Sequence, residues 1–152
     1  MKILYEDKHL CLAVKPTGIL SEDNPTRACM PALLRGHFQN VGKPDYIATV
    51  HRLDKVVGGV MLFSRSPSVT GKLTGLIARH EIEKEYFAIL RGRPQQDEAT
   101  LEDLLFHDSA HNKSFVVTRE RKGVRKASLS YKVLGYNETE DLTLVRVRLH
   151  TG

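Results

Sequence analysis

The stretch His51-Arg52-Leu53-Asp54-Lys55-Val56-Val57-Gly58-Gly59-Val60-Met61-Leu62-Phe63 decides how this chain is read. It runs into Gly59–Ser64, a short apolar run of the kind that forms a buried strand. It begins within Ala48–Leu53, which reads as extended and leads into Asp54. In extended backbone, residues two apart point the same way. Arg52 and Asp54 then share a face, with Lys55 opposite. A neighbouring cation favours the ionised carboxylate, and an ionised Asp is a usable nucleophile. A surface Arg–Asp pair without a role satisfies the same spacing, and both readings stand at this point.

Outward from that stretch, strands dominate. Ile3–Glu6 and Leu10–Lys15 read as a hairpin around Asp7-Lys8-His9, ended by Pro16. Residues 17–25 and Gly36–Asp45 are loop-like, and Arg27–Phe38 suits a short helix interrupted early by Pro31. Ser66-Pro67 opens a second helix, with serine at the cap and proline in the first turn. Val69, Leu73, Leu76, Ile77 and His80 give it one apolar face. Glu83–Arg91 is the next strand, and Gly92–Asp97 a turn region. Ser114–Thr118 is short and β-branched. Ala127, Leu129, Tyr131 and Val133 alternate with polar residues, as do Val145, Val147 and Leu149, with a hairpin loop at Asn137–Asp141. Many strands with one good helix and few parallel crossovers predict an α+β fold with a mostly antiparallel sheet.

Composition sets the outer limits. The 152 residues are 41% hydrophobic and 27% charged, with 23 Lys+Arg against 18 Asp+Glu and a net charge of +5. One soluble globular domain is expected at this length. The basic balance is compatible with a polyanionic partner without demanding one. Cys11 and Cys29 are too few for a disulfide framework and fit a reducing cytoplasm. No signal peptide, repeat or membrane-length apolar run is visible. His107 and His111 lack acidic or Cys partners at ligand spacing, so no metal is expected. Lys113, Arg119, Arg121, Lys122, Arg125 and Lys126 cluster around Gly123; such a stretch is a solvated loop or a phosphate contact.

Four blocks occur in order: Lys15-Pro16-Thr17-Gly18, His51-Arg52-Leu53-Asp54, Lys84-Glu85-Tyr86-Phe87-Ala88 and, after a strand, Thr151-Gly152. Together they resemble the RluA-type family of RNA pseudouridine synthases, over essentially the whole chain from Ile3 to Gly152. The resemblance implies a single catalytic domain, 1–152, with a mixed, mostly antiparallel central sheet and flanking helices and loops forming an RNA-binding cleft on one side. It also implies an ending within the family's Thr-Gly-Arg motif, with no accessory RNA-binding domain ahead of Ile3. One departure lies inside the second block's continuation. Val57-Gly58-Gly59 stands where the family has Thr-Ser-Gly, which removes two hydroxyls and lets Gly58 approach other backbone more closely.

The activity implied is isomerisation of uridine to pseudouridine in a structured transfer or ribosomal RNA, by a cytoplasmic monomer without metal or cofactor. The target base must first leave its stack, which costs a few kcal/mol. Asp54 matches the catalytic aspartate, as nucleophile or as base toward the sugar. Tyr86 matches the tyrosine that stacks on the uracil, and Arg52 the arginine that displaces the base. His51, Lys15, Lys84, Arg125 and Lys126 are the expected RNA contacts, with a bracing role for Lys15 and a loop-shaping role for His51 as alternatives. Two other functions fit the same residues: an RNA-binding module that kept the fold without the chemistry, and a metal hydrolase using Asp54 and His51.

Overall fold

A computed structural model describes residues 1–111 and 113–151. Gly152, quoted above in the Thr-Gly block, lies outside the described residues. The chain divides into two compact units, Met1–Glu81 and Ile82–Gly152.

The first unit is a four-stranded antiparallel sheet with two helices. β1 (Lys2–Glu6) and β2 (Leu10–Lys15) form the expected hairpin, and β2 pairs on its other side with β4 (Gly59–Ser64), which carries the two-residue β3 (Ala48–Thr49) at its edge. The Asp7 carboxylate closes the hairpin: one oxygen accepts from the His9 and Leu10 amides at 2.7 and 2.8 Å, and Tyr5 Oη donates to the other at 3.0 Å. The period-two pattern then sets the core. Cys11 and Ala13 of β2 lie opposite Phe63 and Met61 of β4, and all four side chains are buried. Helix α1 (Met30–Asn40) lays Met30, Leu34 and Phe38 on them. Pro31 sits in its first turn, where the missing N–H is no loss, so the helix starts at the proline instead of being interrupted by it. Helix α2 (Pro67–Ala78) begins after Ser66 as expected, and Val69, Leu73, Leu76 and Ile77 are among its half-buried residues. His80 falls off that stripe; it is exposed, past the helix end, at φ 56°.

The second unit is a five-stranded antiparallel sheet in the order β5 (Glu85–Arg91), β9 (Leu142–Leu149), β8 (Val124–Asn137), β6 (Glu98–Asp108), β7 (Lys113–Val117). Asn137 caps the β8–β9 turn by accepting from the Thr139 and Glu140 amides. The α+β class and antiparallel pairing hold, with the strands divided between two sheets. The one parallel pairing among the described residues is the isolated bridge Leu20–Cys29. β6 is a strand that the sequence pattern did not announce. Its segment Glu98–Asp108 carries Glu102 and Asp103 mid-run and lacks clean alternation. Both cysteines are free and buried, and no helix among the described residues is long and apolar enough to cross a membrane.

Two backbone N–H bonds, Leu10 first and His9 next, hold the Asp7 carboxyl below its ordinary 3.8. A carboxylate lowered on folding contributes stability that is complete above the unfolded value and is lost as pH falls through the folded one. In urea unfolding, the protein should therefore exceed Asp7→Ala in stability at neutral pH, and the gap should close as pH drops below 3.8. A gap that persists unchanged into acid would contradict the assigned role.

Candidate active site

β2 ends on an exception to its own pattern. Lys15 continues the buried face of Cys11 and Ala13, opposite Gly59, and its side chain is 0% exposed. A buried ammonium is costly unless its donors are met. It has three N–H bonds to give, and three carbonyls take them: Ile19 at 2.7 Å, Pro16 at 3.2 Å and Lys55 at 3.3 Å. Burial lowers the Lys15 pKa, and the negative charge of Asp54 pulls it back up. Gly18, at φ 84°, adds a backbone N–H to Lys55 O at 2.7 Å. The Lys-Pro-Thr-Gly turn is thus stitched to the residue after Asp54. At Gly58 a Cβ would already touch Lys15 O and Thr17 Cγ2 at 3.4 Å. Glycine at this position suits this close approach of the two loops.

The residue before Asp54 is held from the other side. Ser21 is 5% exposed. Its hydroxyl donates to Leu53 O and accepts from Leu53 N–H at 3.0 Å. Ser21 O also accepts from Thr49 Oγ1 at 3.2 Å. The chain expected to be extended from Ala48 to Leu53 leaves the sheet after Thr49. His51 replaces the strand that is no longer there: its Nε2 accepts the Leu62 N–H at 3.0 Å. That bond puts the ring proton on Nδ1 and gives His51 a loop-shaping position. Because His51–Asp54 is loop and not strand, the shared-face pairing of Arg52 with Asp54 does not form. The Arg52 guanidinium instead lies 3.6 Å from Glu22, and both side chains are exposed. Asp54 O accepts Val57 N–H at 3.0 Å, closing the turn, and the Asp54 side chain is exposed.

The first unit thus gathers Lys15, His51, Arg52 and Asp54 into one corner. Of the two roles expected of Lys15, RNA contact and bracing, the buried ammonium bonded to three carbonyls suits bracing of the Asp54 loop. Ser21 was not legible in advance. It lies in a loop 32 residues from Leu53, and no local periodicity marks such a contact.

In the second unit, Tyr86 lies in β5, half-buried, in a cross-strand row with Val147, Tyr131 and Ala99. Lys84 lies just before the strand, and its carbonyl accepts Leu149 N–H at 3.3 Å. Arg146 and Arg148 alternate with Val147 and so occupy the opposite face. Arg148 pairs with Glu83. After β9, Thr151 is fastened to Ser128: Thr151 Oγ1 accepts the Ser128 amide at 2.8 Å, and Ser128 O accepts the His150 and Thr151 amides. Arg125 and Lys126 are exposed at the start of β8, beside the tip that follows β7. Arg125 has the parity of Tyr131 and shares the Tyr86 face six residues away, while Lys126 faces oppositely and pairs with Glu120 at 3.4 Å. Among the described residues, no three His, Cys, Asp or Glu side chains group as a metal site would require.

Comparison with known proteins gives this geometry a context. The profile of the family described as RNA pseudouridylate synthase matches residues 9–152. The chain is similar to ribosomal large subunit pseudouridine synthase D of Zymomonas mobilis, with 25% identity over all of this chain and 49% of that protein. It is also similar to tRNA pseudouridine synthase C of Vibrio cholerae, with 31% identity over 60% of this chain and 37% of that protein. Among solved structures, human RNA pseudouridylate synthase domain containing 4 superposes with a TM-score of 0.81 at 22% identity, covering 99% of this chain and 59% of that one. The chain spans about half the length of the curated relatives it matches end to end.

Replacing His51 by Ala strands the Leu62 amide at the edge of β4. Denaturant unfolding should show a loss of about 1–2 kcal/mol. Stability unchanged from the parent would mean that the amide finds another acceptor.

Proposed function

This chain belongs to the RNA pseudouridylate synthase family, in its RluA-type branch, and on that premise we propose that residues 1–152 are catalytic-domain sequence of an enzyme that converts uridine to pseudouridine in a structured ribosomal or transfer RNA. The observation that carries this reading is the tethered, exposed carboxylate of Asp54. Its neighbours on both sides are fixed to buried groups, while its own side chain reaches solvent.

The reaction breaks the bond from the sugar carbon C1′ to the uracil nitrogen N1, turns the base, and joins C1′ to C5. A proton leaves C5 and one is taken up at N1, so composition is unchanged. Asp54 acts at the sugar, either attacking C1′ or taking a sugar proton. Either role needs an ionised carboxylate at a fixed position, and a tethered loop supplies the second condition. Arg52 displaces the base from its stack and fills the vacated space. Its exposed pair with Glu22 is of the kind that contributes little to stability, so the guanidinium can leave it at small cost. Tyr86 stacks on the uracil, an interaction worth about 1–3 kcal/mol, and assists proton removal from C5. Lys84, beside Tyr86 in sequence, and His51, beside Arg52, flank the RNA. Arg125 and Lys126 contact phosphates, supported by their exposure on the basic stretch that ends in β8. The protein works as a monomer in the cytoplasm; the two free, buried thiols support the reducing compartment.

With the intact gene product and unmodified transcripts of transfer and large-subunit ribosomal RNA, Asp54→Asn should abolish pseudouridine formation read by carbodiimide labelling, while RNA binding persists. Pseudouridine made at the parent rate by Asp54→Asn would remove the aspartate from the chemistry. Binding with no isomerisation by the parent protein would favour an RNA-binding module instead. Replacing Arg125 and Lys126 together by Ala should weaken RNA binding and make the slope of log affinity against log salt shallower by about 0.7 per lost phosphate contact for single strands. An unchanged slope would place phosphate contact elsewhere.

A further inference from the structure

Ser21 has the geometry of a positioning device. Its hydroxyl meets both backbone groups of Leu53, donating to the carbonyl and accepting from the amide at 3.0 Å, while its own carbonyl accepts Thr49 Oγ1 at 3.2 Å. A hydroxyl has one donor and two acceptor sites, so one side chain can do the work of a strand partner for one residue. The residue served is the one immediately before Asp54. On the far side, the carbonyl of Lys55 is held by Gly18 N–H and the Lys15 ammonium. The Ser21 carbonyl's neighbour in sequence is tied as well: Leu20 O accepts Met30 N–H at 2.8 Å, which anchors the segment to the start of α1. The chain from Lys15 to Ser21 therefore grips both neighbours of Asp54 and is itself fixed to β2 and α1.

We propose that Ser21 is a positioning residue for the reaction: its hydroxyl fixes the Leu53 peptide and thereby aims the Asp54 carboxylate at the target sugar. This rests on the assignment of Asp54 above. Ser21 is almost wholly buried, so its effect is exerted through Leu53 and not by contact with RNA. A hydroxyl that sets the aim of a reacting group is felt in turnover, since a misplacement near 1 Å costs about 100-fold. A group that only adds stability is felt in the folded fraction.

The test compares Ser21→Thr with Ser21→Val in the intact gene product. The two replacements have the same shape and differ in the hydroxyl. Single-turnover pseudouridine formation, RNA affinity, thermal melting and hydrogen exchange at the Leu53 amide are measured for both, with Asp54→Asn alongside. Ser21→Val should lower the single-turnover rate by about 10- to 100-fold relative to Ser21→Thr, with RNA affinity within about twofold and faster exchange at Leu53. Equal rates for the two variants would overturn the proposal. So would a Ser21→Val protein whose lost activity matches its unfolded fraction, or one that fails to fold where Ser21→Thr folds, because either result makes Ser21 a stability residue. An active Asp54→Asn protein would sink the assignment of Asp54 itself, whatever the Ser21 variants do.

Discussion

The buried Lys15 ammonium is the constraint on which the Asp54 corner depends. It sits where the alternation of β2 calls for an apolar side chain. A charge in that place must be fully hydrogen-bonded or it destabilises the fold. The three carbonyls that satisfy it come from two segments far apart in sequence, the Pro16–Ile19 turn and the Asp54 loop, whose Lys55 is 40 residues from Lys15. Folding the first unit without bringing those segments together would leave an unmet buried charge. The requirement to satisfy one cation thus becomes a requirement on loop position.

The loop needs such control because it has left the sheet. β3 is two residues long, and beyond Thr49 the backbone lacks ladder bonds to hold it. Side chains take over: the His51 imidazole receives the Leu62 amide, and the Ser21 hydroxyl receives and serves Leu53. The same device recurs in the second unit, where the Thr151 hydroxyl meets the Ser128 amide at the end of β9. In both places a hydroxyl fastens a loop that local secondary structure does not. Asp54 projects from a backbone pinned this way while remaining exposed, which is what a reacting carboxylate needs.

Much of this architecture was legible in the sequence because it is periodic. The β1–β2 hairpin, the proline-started α2 and the alternation in β8 and β9 follow from spacing that each segment carries by itself, whereas β4, read as a buried run, leaves Val60 exposed. β6 was not legible, since acidic residues break up its pattern, and its place is set by pairing with β8 and β7. The candidate site was legible as blocks of residue types but not as contacts. Arg52 and Asp54 promised a pair that the loop conformation does not make. Lys15, ahead of the Pro16 turn, left RNA contact and bracing both open, and its surroundings in space turn it inward. Ser21 carried no local signal, because its partner lies across the fold. Non-local hydrogen bonding decides those outcomes, and no window of sequence contains both halves of it.

On the proposed function, a backbone tethered on both sides delivers the Asp54 carboxylate to a nucleotide swung out of its stack. A crystal structure of the intact protein with its uridine-containing RNA tests this most directly. In that complex an unstacked uridine should place its C1′ about 3–3.5 Å from an Asp54 carboxylate oxygen, with the Lys15 and Ser21 bonds intact. A uridine still stacked in the RNA, or one swung out toward another part of the surface with Asp54 in solvent, would contradict it.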